Sequence, residues 1–334
     1  AGESVDREVG HPGLKDYHRR LRELAVETGR PVTFGLFSRK DAPDIWRTYA
    51  ALLDETAAAG GRMFAQVHSR ALSAIPSFKT QLPFDRLPVW KDLRALPLEE
   101  QKQRLRDPEL RRRLVEAARE RDSRKAVGTE ARPPVYDWIF VMDTVEGPHR
   151  SVAEIARERG VDPVEAMIAV ALEKDLDLFF LQPIANENQD HALELIKHPR
   201  TVVTFSDSGA HVSQLMDASL QSHLLSHWVR AKQALTLEQA VRMLTFDTAT
   251  QWGLADRGLI REGFAADFVV FDPATIGPEM PEVVNDLPAG AKRLTQRCRG
   301  IAATVVNGEV LLRDGKHTGA LPGRLLRGPL AGMA

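Results

Sequence analysis

The sequence predicts an α/β protein: a parallel sheet covered by helices, with a small β unit appended at the C-terminal end. Three observations predict it. Short apolar runs rich in β-branched residues, such as residues 201–205, alternate with amphipathic stretches of helical period, the pattern of βα units. These runs end in polar, ionisable residues. TVVTFSDSGAHV is the clearest case, with Ser206, Asp207, Ser208, Gly209 and His211 following the strand at once, and in parallel α/β folds the chemistry sits at that end. After Thr250 the helical period gives way to short β-like runs punctuated by glycine.

Taken in order, a helix is expected over residues 14–28, where Leu14, Tyr17, Leu21, Leu24 and Ala25 recur at helical spacing and Gly29 stands ready as a C-cap. Residues 31–38 (PVTFGLFS) read as a strand. A second helix covers 41–59, with Pro43 near its start and Gly60-Gly61 at its end. The second strand, 62–67 (RMFAQV), ends in His68-Ser69-Arg70. Residues 71–134 then break the rhythm: Pro76, Pro83, Pro88 and Pro97 punctuate the first part, and 98–106 and 108–124 read as charged helices. This stretch is expected to be a long insertion, either a lid or specificity wall at the active-site end or a peripheral packing element.

The rhythm resumes with a third strand over 137–142 (DWIFVM). A helix over 151–159 follows, with Ser151 and Glu154 spaced as a capping box. The next helix covers 162–173 and opens on Asp162-Pro163. A fourth strand is expected over 176–181, a helix over 188–197, the strand 201–205, and a helix over 217–232. Residues 237–244 are helical behind Thr236 as N-cap. Strands at 268–271, 303–306 and 310–313 close the chain, and Asn307-Gly308 between two apolar runs signals a hairpin.

Composition narrows the function. The 334 residues carry a net charge of -1, which removes the electrostatic case for nucleic acid or an anionic membrane. The single cysteine, Cys298, excludes an intrachain disulfide and a Cys-rich zinc site, and fits a reducing compartment, hence the cytoplasm. No apolar run approaches the length of a membrane span. The opening AGESVDREVG is not a signal peptide and has no starting Met, so the true N-terminus is expected upstream.

Asp207 can ligate a metal, accept a proton from a metal-bound water, or do both; an ordinary Asp-Ser-Gly turn is the alternative. His68 is a candidate metal ligand, against a hydrogen-bonded loop histidine. Arg70 is a candidate bidentate grip on a substrate carboxylate. His223 and His227 stand four residues apart on one helix face, but no Glu between them makes a zinc-binding HExxH. Packing and surface roles are expected for both.

Several segments together resemble the amidohydrolase superfamily, in its N-acyl-D-amino-acid deacylase (D-aminoacylase)-like branch. They are FSDSGAHV, SLQSHLLSHWVR, LADRGLIREGFAADFVVFD and TVVNGEVLLRDGKHTGALPGRLL. The resemblance implies a (β/α)8 TIM-barrel metal-dependent hydrolase with a small β-sandwich. Residues 1–250 would be the C-terminal part of the barrel, with the 71–134 insertion, and 251–334 the C-terminal strands of the sandwich. The N-terminal part of the same protein, with most ligands for one or two Zn2+ ions, would lie upstream. By the same resemblance the reaction is hydrolysis of a linear amide. Zinc polarises the carbonyl and lowers the pKa of its water, and Asp207, as general base and in some members a metal ligand, passes the proton to the leaving amine.

The resemblance departs from the best-known deacylases at two places. PVTFGLFSRK lacks the metal-binding His of a mid-barrel strand, for which His68 is the substitute. HVSQLMDAS lacks a substrate-gripping Arg and offers His211 instead. Implied partners are a small-molecule amide substrate and the upstream part of the protein, with a homo-oligomer left open. A non-catalytic binding subunit of the same fold and a cyclic-amide hydrolase of the hydantoinase or dihydroorotase type are the alternatives.

Overall fold

Local signals set most element boundaries. The computed structural model describes residues 9–119, 134–209, 211–215 and 218–326. The N-terminal opening, the last residues of the helix expected over 108–124, most of the close of the 71–134 stretch and the first residue of the expected 217–232 helix lie outside them. Helix α1 (Pro12–Thr28) leads through β1 (Val32–Gly35) and α2 (Ile45–Ala58) to β2 (Met63–Val67), as the alternation predicts. The next elements are β3 (Leu72–Ala74), α3 (Pro88–Arg94), α4 (Leu98–Arg104) and α5 (Pro108–Ala118), then β4 (Phe140–Met142), α6 (Val152–Arg159) and α7 (Pro163–Glu173). After β5 (Phe179–Ala185) come α8 (Gln189–Lys197) and β6 (Thr201–Val203).

The capping residues act as read. Ser151 Oγ accepts from the Glu154 amide at 3.1 Å, and Glu154 Oε2 accepts from the Ser151 amide at 2.7 Å. Asp162 Oδ1 accepts from the Val164 amide at 2.9 Å ahead of Pro163. Each satisfies donors that the first helical turn leaves without partners.

Three strands form a parallel sheet in the order β1-β2-β6, with Val32 opposite Met63 and Val67 opposite Val203. Its core joins Trp46, Leu52 and Leu53 of α2, Met63, Ala65 and Val67 of β2, Leu195 and Ile196 of α8, and Val203. Burial on both faces explains why β2 is apolar at every residue but the half-buried Gln66.

The third and fourth predicted strands do not extend this sheet. β5 is the middle of a separate antiparallel sheet, β3-β5-β4, with Phe140 opposite Leu181 and Leu72 opposite Ala185. The reason lies in the connection. One crossover helix reverses the chain once and returns the next strand parallel, whereas α6 and α7 are two helices and reverse it twice, so β5 returns antiparallel to β4. β4 is also shorter than DWIFVM, because Tyr136–Trp138 forms a 3-10 turn.

The described part of the expected insertion packs into a core with the elements that follow it. Phe78, Leu82, Phe84, Trp90, Leu93, Leu105 and Leu114 form one buried cluster with Ile155, Met167, Ile168 and Phe180 of the following elements. Trp90 Nε1 donates to the Leu114 carbonyl at 3.0 Å. Arg94 donates to the carbonyls of Phe78 (2.5 Å) and Thr80 (2.9 Å) and pairs with Asp85 at 3.0 Å. The prolines that break the helical period are the corners of this packed unit.

Beyond β6, α9 (Leu220–His223) runs into a π-helical stretch, Leu224–Ala231. α10 (Leu237–Arg242) runs through a second, Met243–Asp247, into α11 (Thr248–Gln251). The expected long helix is therefore wider and later than its period suggests. The tail comprises β7 (Phe268–Phe271), β8 (Gly277–Pro278), β9 (Glu282–Leu287), β10 (Ala291–Thr295), β11 (Cys298–Arg299), β12 (Ile301–Val306), β13 (Glu309–Arg313) and β14 (Lys316–His317). β14-β13-β12-β7 form one antiparallel sheet, and β9 with β10 and β8 with β11 form two small pairs. Asn307 and Gly308 make the hairpin turn between β12 and β13, both at positive φ (48° and 83°), the geometry of a type I′ turn. Among the described residues no helix is long and apolar enough to cross a membrane.

Candidate functional site

The register of the parallel sheet brings the two polar turns to one edge. Because Val67 lies opposite Val203, the turn His68-Ser69-Arg70 and the turn from Ser206 to His211 leave neighbouring strands on the same side. The Phe205 amide still donates to the Val67 carbonyl, at 3.4 Å. Phe205 then folds back over β1, meeting Phe37 edge-on with centroids 4.5 Å apart. Gly35 permits this approach: a Cβ there would lie 2.8 Å from the Phe205 ring. Two residues on, Asp207 is half-buried, and its carbonyl accepts from the His211 amide at 3.3 Å. Ser206 Oγ and Ser208 Oγ are 3.0 Å apart. The His211 side is exposed.

The neighbouring turn points inward. His68, Ser69 and Arg70 are all buried. His68 Nδ1 lies 3.1 Å from both the amide and the carbonyl of Arg70, so any ligand role of this imidazole falls to Nε2. Arg70 Nη1 donates to Ser219 Oγ at 3.1 Å. Ser69 Oγ donates to the Leu220 carbonyl and Trp228 Nε1 donates to the Ser69 carbonyl, each at 2.6 Å. The turn is thereby clamped to α9 and the π-helical stretch.

That clamp includes the two helical histidines. His223 and His227 stack with centroids 4.7 Å apart and 15° between planes. Burial holds the His223 imidazole well below the usual histidine range, and Arg70, His227 and His68 add to the effect. Burial also lowers His227, with Glu146 pulling the other way. Glu146 in turn accepts a hydrogen bond from Ser226. His149 is lowered by burial and then by Arg70. The histidine face is thus a neutral wall beside a buried guanidinium, which goes beyond the packing role its spacing suggests.

Sequence reading missed Asn186. It is fully buried, sits at φ 56°, and ends β5. Its amide donates to the Ser38 carbonyl at 2.8 Å, and its Oδ1 accepts from the Ser38 amide at 3.0 Å. Its Nδ2 lies 3.4 Å from the carbonyls of both His68 and Arg70. One signal was present: asparagine directly after an apolar run is the residue that best tolerates left-handed backbone outside glycine.

Metal binding can be tested on the donor set. Among the described residues no group of three or more His, Cys, Asp or Glu side chains could hold a metal ion. A catalytic zinc takes three protein ligands. His68 and Asp207 therefore do not make a metal centre by themselves.

Residues 14–312 match the profile of the Amidohydrolase family. The chain belongs to the amidohydrolase family. Its similarity to the D-aminoacylase branch is seen in N-acyl-D-aspartate deacylase from Alcaligenes xylosoxydans xylosoxydans, which is 34% identical over 186 residues, 54% of this chain and 33% of that protein. A D-aminoacylase mutant solved in complex with CuCl2 superposes with a TM-score of 0.51 at 18% identity, over 94% of this chain and 53% of that one. A second D-aminoacylase structure, described for its binuclear metal center, gives 0.50 at 18% identity, over 92% and 52%. The amidohydrolase chain thus spans about half the length of the structures it matches and a third of this curated relative.

Proposed function

We propose that this chain forms part of a hydrolase of linear amide C–N bonds, acting on N-acyl amino acids. The observation that carries the reading is the family match over residues 14–312 together with Asp207 on the C-terminal edge of the parallel sheet. Asp207 takes a proton from the attacking water as its oxygen adds to the amide carbonyl. It then gives that proton to the nitrogen as the C–N bond breaks, leaving a carboxylate and an amine. Arg70 grips the substrate carboxylate, and His211, on the exposed side of the same turn as Asp207, is a further contact. The finer architecture belongs to this proposal as well. Residues 1–250 are read as part of a (β/α)8 barrel and 251–334 as part of a β-sandwich, in a cytoplasmic protein. The binuclear centre named for a D-aminoacylase structure favours metal dependence, with zinc as the first metal to test and with ligands beyond His68 and Asp207.

The test compares hydrolysis of N-acetyl-D-aspartate, N-acetyl-D-glutamate and N-acetyl-D-leucine by protein carrying Asp207 or Asp207→Asn. The substitution is expected to lower kcat by roughly a hundred- to ten-thousandfold, the range of a lost general base, with an unchanged thermal midpoint. Near-normal turnover would falsify the assignment of Asp207. A non-catalytic binding subunit is the second reading, favoured by the lack of a metal-holding group among the described residues. Elemental analysis that finds no metal, with no amide hydrolysed, would favour that reading.

A further inference from the structure

Asn186 touches, with its side chain and backbone together, the ends of three strands beside the site. It closes β5, takes both polar groups of Ser38 just beyond β1, and reaches the carbonyls of His68 and Arg70 just beyond β2. Its own carbonyl is occupied as well, accepting from Gln189 Nε2 at 2.8 Å at the start of α8. A buried amide with all four polar groups engaged is expensive to misplace. Nothing in its left-handed backbone requires a side chain, since glycine adopts that conformation at less cost. What glycine could not supply is the Nδ2 donor, which lies 3.4 Å from the carbonyls of both His68 and Arg70.

We infer that Asn186 is a positioning residue: its Nδ2 donor fixes the His68–Arg70 turn and so aims the Arg70 guanidinium at the substrate carboxylate. The inference rests on the proposed role of Arg70. It predicts a division of labour. The contacts of Asn186 reach the ends of β1 and β2 and do not include the turn that carries Asp207, so substrate affinity should suffer and the chemical step should not.

Two substitutions separate side chain from backbone. Asn186→Gly keeps the left-handed conformation and deletes the donor. Asn186→Asp keeps the size and the acceptor for the Ser38 amide, and replaces the donor with a carboxylate facing two carbonyl oxygens. In the whole chain, with N-acetyl-D-aspartate as probe, both should raise KM by about tenfold and leave kcat within about threefold, the signature of lost binding without lost chemistry. A buried carboxylate facing carbonyls takes up a proton as the pH falls and regains an O–H donor. The KM of Asn186→Asp should therefore approach the wild-type value toward about pH 5, while that of Asn186→Gly stays raised at every pH. A role limited to holding the fold together moves the thermal midpoint of Asn186→Asp with pH and leaves KM where it was.

The 15N signal of the His68 ring gives a readout independent of turnover, because Nδ1 lies 3.1 Å from the amide and the carbonyl of Arg70 and must shift if the turn moves. Should the wild-type chain hydrolyse no amide, the proposed function fails while the His68 signal still decides the role of Asn186. A His68 signal and KM unchanged in the variants overturn the inference. So do equal losses in kcat and KM that track a lowered thermal midpoint. If Asn186→Gly does not fold, Asn186→Asp and its pH dependence decide.

Discussion

The parallel and antiparallel halves of this chain are built for different ends. The antiparallel half, from β3 to β5, has one core cluster around Trp90 and Phe180 drawn from residues between Phe78 and Phe180, while Ile75, Met142, Phe179 and Leu181 pack against Leu294 of the tail. The parallel half draws its core from both sides of that stretch, from Ala25 to Val67 and from Leu195 to Ile276. His68, Arg70, Asp207 and His211 sit on the parallel half, just beyond strand ends, and Asn186 reaches that turn from the end of β5. The lesson is that local compactness and chemical equipment are separated along the sequence, with 135 residues between the paired Val67 and Val203.

The largest test of that contrast is Trp90→Ala. Trp90 packs 4.7 Å from the Phe84 ring and bonds the Leu114 carbonyl, so its loss should cost about 3–5 kcal/mol. Amide exchange should collapse across residues 72–185 and leave β2 and β6 protected. Equal loss of protection in both halves would break the distinction. Gly35→Ala strikes the other half. The new methyl group meets Phe205 at 2.8 Å, so Phe205 and the Asp207 turn behind it must shift, at about 1–3 kcal/mol for an overpacked contact. The thermal midpoint should fall, and hydrolysis should fall further than stability explains.

The smallest effect is one of pH. His223 stays neutral in the folded chain and can take a proton when unfolded, so the unfolded state binds more protons below the ordinary value of 6.5. Stability is then full above that pH and falls as the pH drops below it, by at most about 1.4 kcal/mol per pH unit for one such group. His227 and His149 shift in the same direction. Urea midpoints at pH 7.5 and pH 5 should differ less for His223→Asn than for wild type. Equal differences would show that the stacked pair does not weaken the parallel half in acid.

Much of this was legible because it is local. Capping pairs such as Ser151 with Glu154, and the Asn307-Gly308 turn, carry their geometry in two to four neighbouring residues. The parallel pairing of β1 and β2 follows from one helix between two strands. The direction of β5 was not legible, because it depends on counting chain reversals through α6 and α7. The central place of Trp90 and Leu82 was hidden by prolines that resemble those of a surface loop. At the site, Asp207 and His68 announced themselves as polar residues ending apolar runs. Asn186 did so only faintly, since its partners Ser38 and Arg70 are more than a hundred residues away. The turn of π-helix that lets His227 stack on His223 leaves the apolar spacing almost unchanged.

One feature of the antiparallel half reaches past stability. β3 and β5 pair with Leu72 opposite Ala185, so the chain enters and leaves this unit at adjacent points, through a neck two strands wide. A segment with touching ends and its own core behaves as a cassette. It can be lengthened, trimmed or exchanged over evolutionary time while the spacing of β2 and β6 stays fixed. Diversity among relatives should therefore accumulate in the cassette, and a protein engineer could graft a new unit between residues 71 and 186 with the pairing of β2 and β6 left in place.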